Sequence, residues 1–326
     1  MKERNQNLDL IKCIACLGVV GLHSVGMVNY TIYYLCDFSV PLFFMVNGFL
    51  MFSKEEISYG YAFRKILNLI KVVVLWNLLI MLPVLVFRRK IVNPVRLCLE
   101  SLFQKGYLWH FWFFGALMLL YLFLPLLHKL LKNNSFLHGV VCLLLMCICI
   151  LISDVSMVKG YSLQMFVPQT LRLWTWMLFF LFGGLCYTLL PVISKKFPLW
   201  IHGSLALLFT ILSNMVQKKA RLYLIHNRLA DLFYDNITST IWYAVLFTFL
   251  LRLPVKQSLS GLITRLSSLT MGIFILHPIL LAGIRSFYVP ANTGSAVVFW
   301  GILTVISGVI TYIIIKVPVV KEFIKL

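Results

Sequence analysis

Acidic side chains are scarce here. Asp and Glu together number 10 in 326 residues, and all charged types make up 12%. Soluble domains carry about a quarter of their residues as charges. With 61% hydrophobic residues and a mean hydropathy of +0.94, a water-soluble fold is excluded. Phosphate-binding loops are absent too. Neither a Walker-type loop nor a G-x-G-x-x-G occurs, which leaves ATP-driven transport and dinucleotide chemistry without support. Only one C-x-x-C exists, Cys13 with Cys16 inside the first apolar segment. A zinc site needs two further close ligands, so the cysteines read as small apolar packing residues and no metal is expected. There is no long repeat, no low-complexity linker and almost no sequence left over for a soluble domain. Residues 1–326 therefore read as a single membrane domain. The first apolar segment carries Lys12 and His23 and is not followed by a small-residue cleavage site, so it reads as a retained span rather than a signal peptide.

What is present is a succession of apolar runs. A spanning helix needs about 20 mainly apolar residues, and ten such segments stand out: 8–28, 31–52, 66–87, 109–130, 136–153, 171–191, 199–216, 238–253, 267–284 and 295–317. The expectation is an all-α polytopic bundle of about ten helices. The net charge of +19 would suit a nucleic-acid binder, but the basic residues sit in short connections rather than on one solvated face. Membrane topology explains them better, and no nucleic-acid partner is expected. With the amino terminus in the cytoplasm, Lys54, Arg64, Lys65, Lys129, Lys132, Lys195, Lys196, Arg252, Lys256 and Arg265 fall on the inner side. Lys321 and Lys325 then mark a cytoplasmic carboxyl end. The bias is imperfect, because connections 87–108 and 217–236 are basic as well.

Lys12 and His23 are the leading functional residues. Eleven residues make three helical turns plus about 20°, so the two share a face about 16 Å apart along the axis. One is a charge near a membrane surface, and the other is a protonatable ring deep in an apolar segment. That separation is comparable to the pantetheine arm of coenzyme A. On spacing alone, a solubilising lysine and a histidine hydrogen-bonded to a neighbouring helix explain the pair equally well.

Other polar residues interrupt the spans. Asp37 lies in the second, four residues before Pro41, and either orients the His23 imidazole across a short turn or sits hydrated at the outer interface. Pro41 and Gly48 predict a kinked, closely packed helix. The fourth span opens Tyr107-Leu108-Trp109-His110-Phe111-Trp112-Phe113 and continues to Tyr121 and Pro125. An aromatic belt accounts for most of this run, while His110 beside flat aromatic faces suits a sugar. Arg172 opens a comparable run and is either an interfacial anchor or a ligand contact. His226 and Asp231 form an H-x4-D in a polar connection, without a glycine-rich acyl-donor motif downstream, and read as a chance match.

Four stretches together resemble the acyltransferase-3 family of integral membrane acyltransferases. They are Leu8 to His23, with its basic residue, ten residues, then histidine; Val40-Pro41-Leu42-Phe43-Phe44-Met45-Val46-Asn47-Gly48-Phe49-Leu50; His110-Phe111-Trp112-Phe113 through Tyr121 and Pro125; and Gly272-Ile273-Phe274-Ile275-Leu276-His277-Pro278. The resemblance implies a ten-helix enzyme of a bacterial plasma membrane with both termini cytoplasmic. Such an enzyme takes acetyl from acetyl-CoA, with no permanently bound cofactor, and places it on a hydroxyl of a surface polysaccharide or lipid-linked glycan. His23 would be the base, with Asp37 beside it. Lys12, Arg64, Lys65 and Lys71 would serve the donor phosphates, and Asn47, His110, Trp112, Tyr121, Arg172 and His277 the acceptor side. Departures include Lys12 where the family usually has arginine, which loses the planar fork, Asn47 where serine is more usual, and a thinner basic cluster after the second span. Membrane domains of vancomycin-resistance serine racemases and glycan-export relatives keep a carrier role open. A structural partner of a glycan-assembly complex is a third reading.

Overall fold

The computed structural model describes residues 4–26, 28–89, 92–228, 233–318 and 324. Lys321, Lys325 and Asp231 of the H-x4-D lie outside them. The chain runs through α1 (Gln6–Val25), α2 (Tyr30–Leu35), α3 (Ser39–Phe52), α4 (Tyr59–Arg88), α5 (Pro94–Leu102), α6 (Trp112–Leu131), α7 (Ser135–Lys159), α8 (Leu173–Lys196), α9 (Leu199–Lys219), α10 (Ile237–Arg252), α11 (Gln257–Ile284) and α12 (Thr293–Lys316). Among the described residues no strand occurs, and nine helical segments are long and apolar enough to cross a membrane. They match nine of the ten expected spans. The eighth corresponds to α10, which at 16 residues is shorter.

Lipid-compatible surface is distributed unevenly. α1, the α2–α3 segment and α6 are mostly enclosed, whereas α7, α9 and α12 turn most of their apolar surface outward. The enclosed helices build the core, with α1 packed on α11 and α3 packed on α8. Without a hydrophobic drive between helices in lipid, small residues allow the backbone approach that makes dispersion contacts count. At the α3–α8 crossing Gly48 and Gly183 do this: a Cβ on Gly48 would collide with the Phe180 carbonyl oxygen, and one on Gly183 with that of Met45. Cys13 and Cys16 face α11, their sulfurs 3.8 Å and 3.7 Å from the Ile263 and Thr270 carbonyl oxygens. All eight cysteines are unpaired.

α1 is one uninterrupted helix. Asn5 caps it by accepting from the Asn7 and Leu8 N–H groups, and Asn7 Nδ2 donates to the Leu250 and Leu253 carbonyls at the end of α10. The second span departs from expectation. Its break falls at Cys36–Phe38, ahead of the proline, and Pro41 lies in the first turn of α3. A missing N–H costs nothing there, because the first helical N–H groups have no intrahelical acceptor. Ser39 Oγ donates 2.8 Å to the Cys36 carbonyl and closes the break. Asp37 sits inside it.

Candidate functional site

Because α1 is continuous, Lys12 and His23 face the same side of the bundle at different depths. Each lines its own cavity. The first, about 300 Å³, is lined by Lys12, Lys65, Asn47, Tyr121, Ser267 and Thr270 among apolar side chains. The second, about 250 Å³, is lined by His23, Tyr33, Gln104, Trp109, His110, Trp112, Gln169 and Tyr234 among others.

At the first cavity Lys12 is not a free cation. Its Nζ lies 3.3 Å from Asp9 Oδ1, which also accepts from Ser267 Oγ at 2.8 Å, while Arg4 pairs with the other oxygen of Asp9. Asp9 is 2% exposed, and the Lys12 side chain 28%. The carboxylate anchors two cations at this end of α1, and an incoming phosphate would compete with it for Lys12. The Asp9-x-x-Lys12 spacing is readable in the sequence, since residues three apart meet on a helix. Lys65 reaches the same cavity from α4. Arg64 and Lys71 do not line it: both are exposed, on other faces of α4. Asn47 and Tyr121, expected on the acceptor side, line the same cavity as Lys12 and are absent from the lining of the His23 cavity. Tyr121 Oη donates to Asn47 Oδ1 at 3.1 Å, and Asn47 Nδ2 donates to the Phe43 carbonyl at 2.8 Å.

At the second cavity the His23 ring meets Trp109 edge-on, with centroids 5.1 Å apart, and stacks on His277 at 5.2 Å and 27°. Arg285 donates 2.7 Å to the His23 carbonyl and pins the end of α1. His277 Nδ1 lies 2.8 Å from the Ile273 carbonyl oxygen. An oxygen of that kind only accepts, so Nδ1 carries the proton and the tautomer is set. His277 is completely buried behind His23 and is not part of the cavity wall. It is placed to hold the His23 ring, a different position from the acceptor contact expected. His110 and Trp112 do line the cavity, and the Trp112 ring lies tilted against Trp176 with centroids 5.0 Å apart. Among the described residues no cluster of three His, Cys, Asp or Glu side chains forms a metal-ligand set.

Asp37 has another principal partner. It is fully buried, not hydrated at an interface, and Arg221 Nη2 donates to its Oδ2 at 2.9 Å. Arg221 is itself 1% exposed, lies 4.8 Å over the Tyr34 ring and also bonds Gln217 Oε1. A π-helical turn over Ala220–Leu224 carries this arginine at the end of α9. Arg172 is a brace: its Nε donates 2.9 Å to the Val167 carbonyl and it is absent from both cavity linings. The loop it braces carries Gln169, whose N–H donates 3.3 Å to Gln104 Oε1 and whose carbonyl accepts from Trp176 Nε1 at 2.6 Å. Gln104 holds a left-handed φ of +63°. These two glutamines face the second cavity from separate loops, and sequence spacing gave no signal for either.

The match to a family model covers almost the whole molecule. A family model described as an acyltransferase domain, the acyltransferase-3 domain, matches residues 5–316. A serine/alanine racemase of Enterococcus gallinarum is 29% identical over 131 residues, which is 35% of this chain and 18% of that protein. The chain thus corresponds to under a fifth of the racemase's length. No solved structure shows detectable similarity. With its helical membrane architecture and a family match running from end to end, the chain belongs to the acyltransferase-3 family of membrane acyltransferases.

Proposed function

We propose that the protein transfers acetyl from acetyl-CoA, bound from the cytoplasmic face, to a hydroxyl of a surface or lipid-linked glycan on the opposite face of a bacterial plasma membrane. One observation carries this reading: Lys12 and His23 lie on one face of α1, each lining one of two adjoining cavities. The rise of the helix separates them by about 16 Å, which suits a cation at the donor phosphates and a base at the end of an extended arm. The amino-terminal end of α1 carries Arg4 and Lys12, and the alternation of spans puts the basic connections at Lys54, Lys129 and Lys195 at the same end. This is the bias expected of a cytoplasmic face.

The proposed chemistry is direct acyl transfer. His23 takes the proton of the acceptor hydroxyl as its oxygen bonds the acyl carbon, the carbon–sulfur bond breaks, and the proton goes on to the departing thiolate. His277 holds the ring in place. Trp109, Trp112, Gln104 and Gln169 give the acceptor cavity flat apolar faces and amide groups, a combination that suits sugar rings. The small size of the cavities and the aromatic side chains between them favour passage of a small acyl group over passage of a glycan, which counts against export. The racemase likeness, confined to a fraction of each chain, favours no alternative.

Donor recognition by Lys12 tests this reading. Lys12→Ala is expected to weaken acetyl-CoA binding by about tenfold, the loss of one charge-assisted contact, while Lys12→Arg retains wild-type affinity or better. Titration of purified protein at two salt concentrations measures both. Equal affinity in all three proteins would leave Lys12 as a partner of Asp9 and nothing more.

A further inference from the structure

Three side chains line both cavities: Phe43 from α3, Phe113 from α6 and Phe274 from α11. The Phe113 ring contacts the other two, with Phe43 and Phe113 centroids 6.1 Å apart at 64° and Phe113 and Phe274 centroids 5.5 Å apart at 58°. Behind them stand Phe44, 4.8 Å from Phe113, and Phe114, 5.5 Å from Phe274, both fully buried. Phe113 is thereby wedged in the core, at 6% exposure, whereas Phe43 and Phe274 are half-buried. Rings with open space on two sides can turn about their side-chain bonds without moving a helix. These three are the side chains that the Lys12 and His23 cavity linings have in common.

We propose that Phe43, Phe113 and Phe274 form an aromatic septum that closes the Lys12 cavity from the His23 cavity at rest, and that the gap left when the outer two rings turn determines which acyl groups pass. This rests on the acyl-transfer reading for its substrate, but not for the barrier itself. Flat, apolar rings admit a slender arm and a methyl group. They exclude water and ions, which would otherwise reach the thioester or cross the bundle. A longer acyl chain must displace Phe113, which is held on both sides, so the size limit comes from packing rather than from a polar contact.

The test uses the full-length protein in liposomes with Val40→Cys, a position lining the His23 cavity. A membrane-impermeant thiol reagent is added only to the Lys12 face, and modification at residue 40 is read by mass spectrometry. With the native rings, modification is expected to be slow. With Phe43→Leu and Phe274→Leu together it is expected to rise about tenfold, and the preference for acetyl-CoA over butyryl-CoA to fall by about tenfold, the scale set by added methylenes in an apolar site. Leucine keeps the core filled, and Phe43→Ala alone provides a second variant should the pair fold poorly. Fast modification with all three rings present, or unchanged modification in folded variants, overturns the septum. If modification rises as expected while the wild-type protein uses no acyl-CoA, the septum stands and the acyl-transfer reading falls.

Discussion

His23→Ala is expected to lower acyl transfer by about 10²–10⁴-fold, the contribution typical of a general base, while leaving insertion and folding intact. The local geometry separates these effects. The imidazole borders a cavity on one side and rests on the Trp109 and His277 rings on the other. Truncation therefore enlarges an existing space, and it strands no buried charge. His277 is buried behind His23 and does not line the cavity, so it does not stand in for the missing base. Glycan acetylation in membranes normalised for protein content measures the loss. A well-expressed His23→Ala protein with near-normal acetylation would remove His23 from the chemistry.

The second large effect concerns stability. Asp37→Ala is expected to destabilise the protein by about 3–5 kcal/mol, because it leaves the Arg221 guanidinium buried without its counter-charge. Removing both charges should undo most of that. Asp37→Leu combined with Arg221→Met replaces an ion pair by apolar volume, a change that is often neutral or favourable in enclosed sites. Thermal unfolding in detergent measures the single and double variants. Wild-type stability in Asp37→Ala would contradict the pairing. A folded double variant as inactive as His23→Ala would return Asp37 to the reaction.

The contrast between these two residues shows what the sequence made legible. Lys12 and His23 belong to one continuous helix, where the 100° step per residue determines relative direction, and their shared face followed from counting. Asp37 and Arg221 are 184 positions apart. Nothing local to Asp37 announces Arg221, whereas nearness in the chain draws attention to His23. Pro41 was legible as a break, but its place in the first turn of α3 moved that break to Cys36–Phe38. Asn47 and Tyr121 stand out in the sequence as site candidates and do bond each other, in the lining of the Lys12 cavity. Depth along a span is readable from sequence, whereas the extent of a cavity is set by facing helices. Gln104 and Gln169 come from loops whose approach depends on the packing of α6, α8 and the short helical turns between them. Such convergence leaves no periodic trace. Phe43, Phe113 and Phe274 each stand inside a family-like stretch, but only the fold brings them into one wall.

Vectorial transfer is the property on which the proposed function stands or falls. Coenzyme A is confined to one side of the membrane by its size and charge, while the proposed hydroxyl is on the other. In inverted membrane vesicles containing this protein and its native glycans, radiolabelled acetyl-CoA is supplied outside, at the Lys12 face, and the label entering glycan is challenged with an added esterase. Transfer across the bundle requires that the label enter readily and resist the esterase until the vesicles are permeabilised. Label that is released at once by the external esterase would place donor and product on the same face and contradict a reaction bridging the two cavities.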